Sequence, residues 1–95
     1  MTNSAALTVQ HNPQAGHFEI VKDGLHSVLE YRLVEGAIIF THTGVPELLG
    51  GQGIGSRLAR CGLDYARSQG YKVISHCWFI SAYIRKNPEY LDLLK

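Results

Sequence analysis

Ninety-five residues, 45% of them apolar and 18% charged, suit one globular domain, because a split would leave neither half enough core. A formal net charge of +1 is too small to argue for a nucleic-acid partner, and no run of about 18 apolar residues exists to cross a membrane. Two cysteines, Cys61 and Cys77, fall short of a disulfide framework or a zinc site, so reduced thiols and no metal are expected.

At the N-terminus, Met1 to Gln10 has no basic region followed by an apolar core, so no secretory signal or transit peptide is expected and the cytoplasm is the default location. Residues 1–5 are expected to be flexible. A β-prone run from Ala6 to Val9 reads as an edge strand, cut by His11-Asn12-Pro13 because proline cannot donate to a ladder. His17 to Lys22 alternates, with Phe18 and Ile20 on one face, and Asp23-Gly24 signals a hairpin turn. His26 to Val34 alternates again, placing Leu29, Tyr31 and Leu33 together. After Glu35-Gly36, the apolar start of Ala37 to Thr43 predicts a fourth strand buried on both faces, completing an antiparallel meander.

Gly44 and Pro46 interrupt that strand, and Leu48-Leu49 lead into four glycines, Gly50, Gly51, Gly53 and Gly55, within six positions. Such a run must turn tightly and then present bare N–H groups at a helix start, an anion site suited to phosphate. The helix is predicted from about Gly53 to Gln69, with Ile54, Leu58, Cys61, Gly62 and Tyr65 on its apolar face and Gly70 as its stop. Tyr71 to His76 follows as a fifth strand, parallel to the fourth through the intervening helix. Trp78 to Lys86 reads as a second helix with Phe79, Ala82, Tyr83 and Lys86 at helical spacing; Asn87-Pro88 ends it, and Glu89 to Leu94 adds a final turn. The fold class is α/β (α+β): a mostly antiparallel five-stranded sheet with a parallel step across the glycine-loop helix.

Charge divides at the glycines. Residues 1–49 hold two Lys/Arg against five acids, net −3, and residues 50–95 hold seven against three, net +4. A P-loop needs Lys-Ser or Lys-Thr after its last glycine, but Ser56-Arg57 follows Gly55. A dinucleotide fingerprint needs G-x-G-x-x-G directly after a strand, whereas Gly51, Gly53 and Gly55 are evenly spaced and stand several residues past it.

Gly50-Gly51-Gln52-Gly53-Ile54-Gly55 instead resembles the phosphate loop of the GNAT superfamily of acetyl-CoA-dependent N-acetyltransferases, Arg/Gln-x-x-Gly-x-Gly/Ala, with Gly50 in place of the usual Arg or Gln. His42 to Pro46 before the loop, and Cys77-Trp78-Phe79-Ile80, Tyr83-Ile84 and Asn87-Pro88-Glu89-Tyr90 after it, are similar to a small single-domain branch, the YjdJ-like or NATD1-type proteins, over roughly residues 15–94.

The resemblance implies a GNAT-like fold binding acetyl-CoA and passing acetyl to an amine acceptor, small molecule or protein. The pantetheine arm would lie where the fourth and fifth strands splay, beside Gly44 to Leu48 and so Val45 and Leu48. The pyrophosphate would sit on the amides of Gln52, Gly53, Ile54, Gly55 and Ser56, with Gly50 and Gly51 shaping the turn. Arg57, Arg60, Arg85 and Lys86 are candidates for the 3′-phosphate and outer field. For catalysis the resemblance offers Tyr83 as acid near the sulfur, or a core aromatic. His42 or Glu47 is the base, unless they are an ordinary strand histidine and a loop acid. Cys77 is a pocket wall or a nucleophile forming an acyl-cysteine, and Cys61 belongs to the core. Trp78 stacks on the pantetheine or simply packs. The chain also lacks the one or two helices that larger relatives place between their first two strands, so a partner protein or a dimer completes the acceptor site, or that site stays open. The alternative is a non-catalytic CoA-binding or regulatory module.

Overall fold

The computed structural model describes residues 7–95. The expected flexible stretch, residues 1–5, lies outside the described residues, as does the start of the expected first strand. Five strands form one sheet in sequence order: β1 (Gln10–Asn12), β2 (His17–Lys22), β3 (Leu25–Val34), β4 (Ala37–Gly44) and β5 (Lys72–Ser75). The first four pair antiparallel, and β4 and β5 pair parallel. Helix α1 (Ile54–Gln69) connects β4 to β5, and α2 (Trp78–Lys86) follows β5, succeeded by a 3-10 segment from Pro88 to Leu93. No described helix is long and apolar enough to cross a membrane.

The first strand is displaced from its expected place. It falls on Gln10–Asn12, not Ala6–Val9, because pairing starts where His11 can stack on Phe18, with ring centroids 4.1 Å apart. A turn at Pro13–Gly16 closes the hairpin, with the Asn12 side chain accepting from the Ala15 N–H at 3.1 Å. The fifth strand is shorter than predicted, and β4 is buried at Ala37, Ile38 and Phe40 but only half-buried at Ile39. Both helices contribute to a single apolar cluster with Phe18, Ile20, Leu29, Tyr31, Ile38, Phe40 and Val73, so they cover one face of the sheet.

Helix α1 turns a slightly different side to the sheet than its periodicity suggests. Leu58, Ala59, Gly62, Leu63 and Ala66 are buried, whereas Cys61 and Tyr65 stay half-buried at the margin. The reason is Gly62: a Cβ there would stand 2.7 Å from Leu29 Cδ2 and 3.0 Å from Phe40, so its absence lets the helix seat directly on β3 and β4. In α2 the buried pair is Ile80 and Ile84; Phe79, Ala82 and Tyr83 are half-buried and Lys86 is exposed. The C-terminus is tied back to α1. Arg67 donates to both Asp92 carboxylate oxygens, at 3.0 and 3.1 Å, and Tyr90 donates to Asp64 at 2.7 Å. Beyond α2, Lys95 N–H bonds the Val73 carbonyl, giving the edge strand β5 a short parallel bridge.

His11 sits among Phe18, Tyr31 and Tyr65, and its Nε2 is hydrogen-bonded to the Tyr31 hydroxyl. Desolvation, and secondarily His17, lower its pKa below the usual value near 6.5. The unfolded chain therefore takes up the proton at a higher pH than the folded one. This contribution to stability is fully present above about pH 6.5 and is lost as pH falls through the folded value. Thermal melting should show the midpoint dropping between about pH 7 and pH 5, with the slope reduced in His11→Phe.

Candidate functional site

The ladder between β4 and β5 ends early. Its register runs from Ala37↔Lys72 to Phe40↔Ser75, and the His76 N–H makes one more bond to the Phe40 carbonyl at 2.9 Å. Beyond that the strands part. A β-bulge governs what they show each other: Tyr31 faces Phe40 and Glu30 faces His42, leaving Thr41 as the extra residue, its hydroxyl donating to the Glu30 carbonyl. One inserted residue reverses the side-chain alternation downstream. Thr43 thus joins Phe40 on the helix-covered face, paired with buried Leu29, while His42 joins exposed Glu30 on the other.

A cleft of about 360 Å³ occupies the gap, lined by Thr41, His42, Thr43 and Val45 on the β4 side and by His76, Cys77, Trp78 and Phe79 on the other. Cys77 is 7% exposed, and its Sγ lies 3.2 Å from Thr43 Oγ1. His42 is exposed, with its imidazole over Gly44: a Cβ on that glycine would be 3.1 Å from Nε2.

After β4, a 3-10 turn at Glu47–Leu49 buries Leu49 and leaves Leu48 84% exposed. The chain then passes through Gly51 and Gly53, both with positive φ and with nothing within 4 Å of a would-be Cβ. Gly53 is the N-cap of α1, and no side chain caps that end. The first turn's N–H groups therefore face outward without an intrahelical acceptor, at the positive end of the helix dipole. Gly55 packs on Phe79: a Cβ would lie 2.8 Å from Phe79 Cζ, which brings the start of α2 against the start of α1.

Three further hollows continue from the cleft. One of about 250 Å³ runs over Val45, Leu49 and the glycines to Ser56 and Phe79. A second of about 270 Å³ is polar, formed by Gln52, Gly53, Ser56, Arg57, Arg60 and Tyr83. A third of about 230 Å³ holds Trp78, Phe79, Ala82, Tyr83, Lys86 and Ser56. Shared walls at Val45, Gly55, Ser56 and Phe79 join them into one groove, apolar at the strands and cationic along α1.

His42 and Cys77 therefore meet in one cleft with Val45, and Gly50, Gly51, Gly53, Ile54, Gly55 and Ser56 share the adjoining hollow. Gln52 faces the polar hollow, Leu48 projects beside the loop and Lys86 lines the outermost part. Tyr83 is not brought to Cys77; it lies with Arg57 and Arg60, its pKa raised first by burial. Glu47 and Arg85 line none of these hollows. Trp78, 80% exposed, borders the cleft without packing into the core. Cys61 is half-buried, its thiol pKa raised by desolvation and by Asp64. Thr41, Thr43, His76 and Phe79 also line the cleft and are not offered by the sequence as site residues; the place of Thr43 depends on a bulge with no local signal.

The model of the GCN5-related N-acetyl-transferase family matches residues 17–93. The chain belongs to this family. It is 34% identical to Protein NATD1 of Mus musculus over 94 residues, 94% of this chain and 86% of the mouse protein. Protein NATD1 of Xenopus tropicalis is 31% identical over 100 residues, covering all of this chain and 92% of its own. A GCN5-like protein from Staphylococcus aureus, solved by NMR in solution, superposes with a TM-score of 0.75 at 30% identity over 96% of this chain and 90% of its own. The family match begins at β2, so β1 and its hairpin turn lie outside it, whereas the parted strands and the glycine loop lie within it.

Gly51 and Gly53 of this acetyltransferase domain hold a left-handed backbone that glycine adopts freely and an L side chain would strain, although open space lies beside them. Gly51→Ala should destabilise by about 1 kcal/mol from the left-handed backbone alone, lowering the melting temperature by several degrees. Gly51→Asn should lose less, because Asn tolerates that region.

Proposed function

We propose that the chain is an acetyl-CoA-dependent N-acetyltransferase that brings an amine acceptor and the acetyl donor together in a ternary complex. The observation that carries this reading is the adjacency of the hollows: an apolar cleft between parted strands shares walls with the hollow over an uncapped helix start, which shares walls with one that holds two arginines. That sequence of environments matches a ligand with a thioester at one end and phosphates at the other. When bound, acetyl-CoA supplies the thioester carbonyl that an amine attacks.

The chain's own residues divide the remaining work. The N–H groups at the start of α1 hold the pyrophosphate, and Val45, Gly55 and Phe79 shape the passage for the pantetheine arm. His42, on the uncovered face of the sheet, takes a proton from the acceptor ammonium as neutral imidazole. Thr43 and Cys77, bonded to each other in the same cleft, are protic groups that would serve to protonate the departing thiolate. Cys77 acts as a wall held by Thr43, with no basic side chain among the described residues bonded to it that would make it a thiolate. No helix stands between β1 and β2, so the sheet bounds the acceptor's approach.

Calorimetric titration with CoA, beside acetyl transfer to a panel of amines, tests the reading. Binding without transfer to any amine would leave a non-catalytic module; absence of binding would overturn both. Gly53→Asp should weaken CoA binding at least a hundredfold by setting a carboxylate against the phosphates, whereas Gly53→Asn, similar in shape and uncharged, should lose far less. Cys77→Ala should retain most of kcat, and intact-mass spectra after exposure to acetyl-CoA should show no acetyl-cysteine. A loss of several orders of magnitude with a trapped acetyl group in the wild type would assign Cys77 as nucleophile instead.

A further inference from the structure

On the face of the sheet that the helices leave uncovered, Gly44 opens a notch beside the cleft. A Cβ there would lie 3.1 Å from His42 Nε2 and 3.9 Å from Val28 Cγ2. A nitrogen in that place would stand at hydrogen-bond distance from the imidazole, and His42 is also a wall of the cleft. Across the ladder from His42 stands Glu30, exposed, its Cβ about 5 Å away by the ordinary spacing of cross-strand pairs. We infer that notch and carboxylate together form the acceptor site, and that its substrate is a short aliphatic diamine. One amine rests over Gly44 against His42, and the other, as an ammonium, pairs with Glu30. The inference rests on the acetyl-transfer reading above and adds to it the chemical class of the acceptor.

The carboxylates of this face are not equivalent. Glu19 is engaged by His26 Nδ1 and has His17 Nε2 at 4.0 Å. Glu30 has no Lys, Arg or His nitrogen within 4.0 Å among the described residues, although His17 and His42 stand opposite it on the two neighbouring strands. Its backbone is nonetheless fixed, because the Thr41 hydroxyl donates to the Glu30 carbonyl at the bulge. The same bulge sets the imidazole level with the unpartnered carboxylate, since without the extra residue His42 would turn to the covered face.

Spacing selects the class of amine. Glu30 lies two residues along β3 from Val28, the partner of Gly44, so notch and carboxylate are diagonal neighbours about 7 Å apart. A chain of about four methylenes spans that distance once the reach of the glutamate is allowed for. Half-buried Val28 offers the chain an apolar floor. Beyond Glu30 on the same face stands Arg32, opposite Ile39, and a longer chain carrying a further cation would meet its guanidinium. An α-amino acid would instead set its own carboxylate near Glu30 and be repelled. The amine over Gly44 gives one proton to His42 and attacks the thioester carbonyl. As the C–S bond breaks, its second proton passes to the thiolate, leaving a mono-acetylated diamine, a free thiol and an imidazolium that returns its proton to water.

The test compares putrescine with butylamine, equal in chain length, as acceptors for the wild type, Glu30→Gln and Gly44→Ala, beside amide chemical-shift titrations of the CoA-loaded protein with the same amines. The wild type should use putrescine with a kcat/KM about fivefold above that for butylamine, the difference lying in KM and shrinking with added salt. Glu30→Gln should bring that ratio near one. Gly44→Ala, which fills the notch, should raise KM for both amines and leave their ratio standing. Putrescine should shift the Glu30, His42 and Gly44 amides at lower concentration than butylamine in the wild type, and the two titrations should coincide in Glu30→Gln. A wild-type ratio near one, or a ratio that survives Glu30→Gln, would overturn the diamine site while the acetyltransferase reading stands. Unchanged KM values in Gly44→Ala would remove the reacting amine from the notch, and a lysine-rich peptide preferred over putrescine would replace the diamine with a protein acceptor. CoA binding with neither amine acetylated nor shifting any amide would overturn the acceptor site outright.

Discussion

The parting of β4 and β5 is the constraint from which the groove follows. Two parallel strands joined through a helix pair only as far as both remain in register, and here the last register pair is Phe40↔Ser75. Past it, β4 continues to pair with β3 as far as Gly44, and the chain after β5 leaves the sheet to start α2. A sheet interior would have to satisfy every backbone group, so a gap is tolerable only where water or a ligand can enter. The bulge at Thr41 then decides the chemistry of the gap. By spending one residue it sends Thr43 to the covered side, where it meets Cys77, and His42 to the open side. An unbulged strand would exchange them, placing an imidazole under the helices and a hydroxyl toward solvent.

Glycines control the other end of the groove by opposite means. At Gly62 and Gly55 the missing side chain permits contact: α1 settles onto Leu29 and Phe40, and Phe79 closes against the first turn. At Gly51 and Gly53 it permits a left-handed backbone with open space alongside. Close packing thus fixes the direction of the α1 axis while the loop leaves its amides bare. The departure at Gly50 from the loop's usual Arg or Gln falls where the backbone is extended and its N–H bonds the Glu47 carbonyl. Side-chain cations reach the groove one and two turns later, from Arg57 and Arg60.

Much of this was legible in the sequence, for a physical reason. Alternation in His17–Lys22, helical spacing from Ile54 and the stops at Gly70 and Asn87-Pro88 are local signals, and those elements lie where they predict. Its misses depend on long-range partners. The first strand moved to Gln10–Asn12 because Phe18 and Tyr65 supply the surface on which His11 packs. In α2 the helical spacing of Phe79, Ala82, Tyr83 and Lys86 marks one side of the helix, and in the structure that side lines a hollow while Ile80 and Ile84 take the core. Periodicity shows that one side differs from another without telling which side a sheet will cover. The bulge, and with it Thr43, leaves no local trace in the chain.

The distribution of stabilising contacts explains how a short chain carries so open a site. At the C-terminal end of α1, a left-handed Gly70 cap, the Arg67–Asp92 pair and the Tyr90–Asp64 bond tie the helix to the last segment. Along the sheet, His11, Phe18, Tyr31 and Tyr65 form a contiguous aromatic patch. At the N-terminal end, by contrast, no side chain caps the helix, and Leu48 and Trp78 project almost fully into solvent. Polar groups and large apolar side chains left without internal partners at one end are unfavourable in the free chain, and a ligand that satisfies both kinds would offset them together. One with an apolar arm and several phosphates does so along a single path. The asymmetry of α1, closed at Gly70 and bare at Gly53, is therefore an electrostatic and a packing argument for the same ligand.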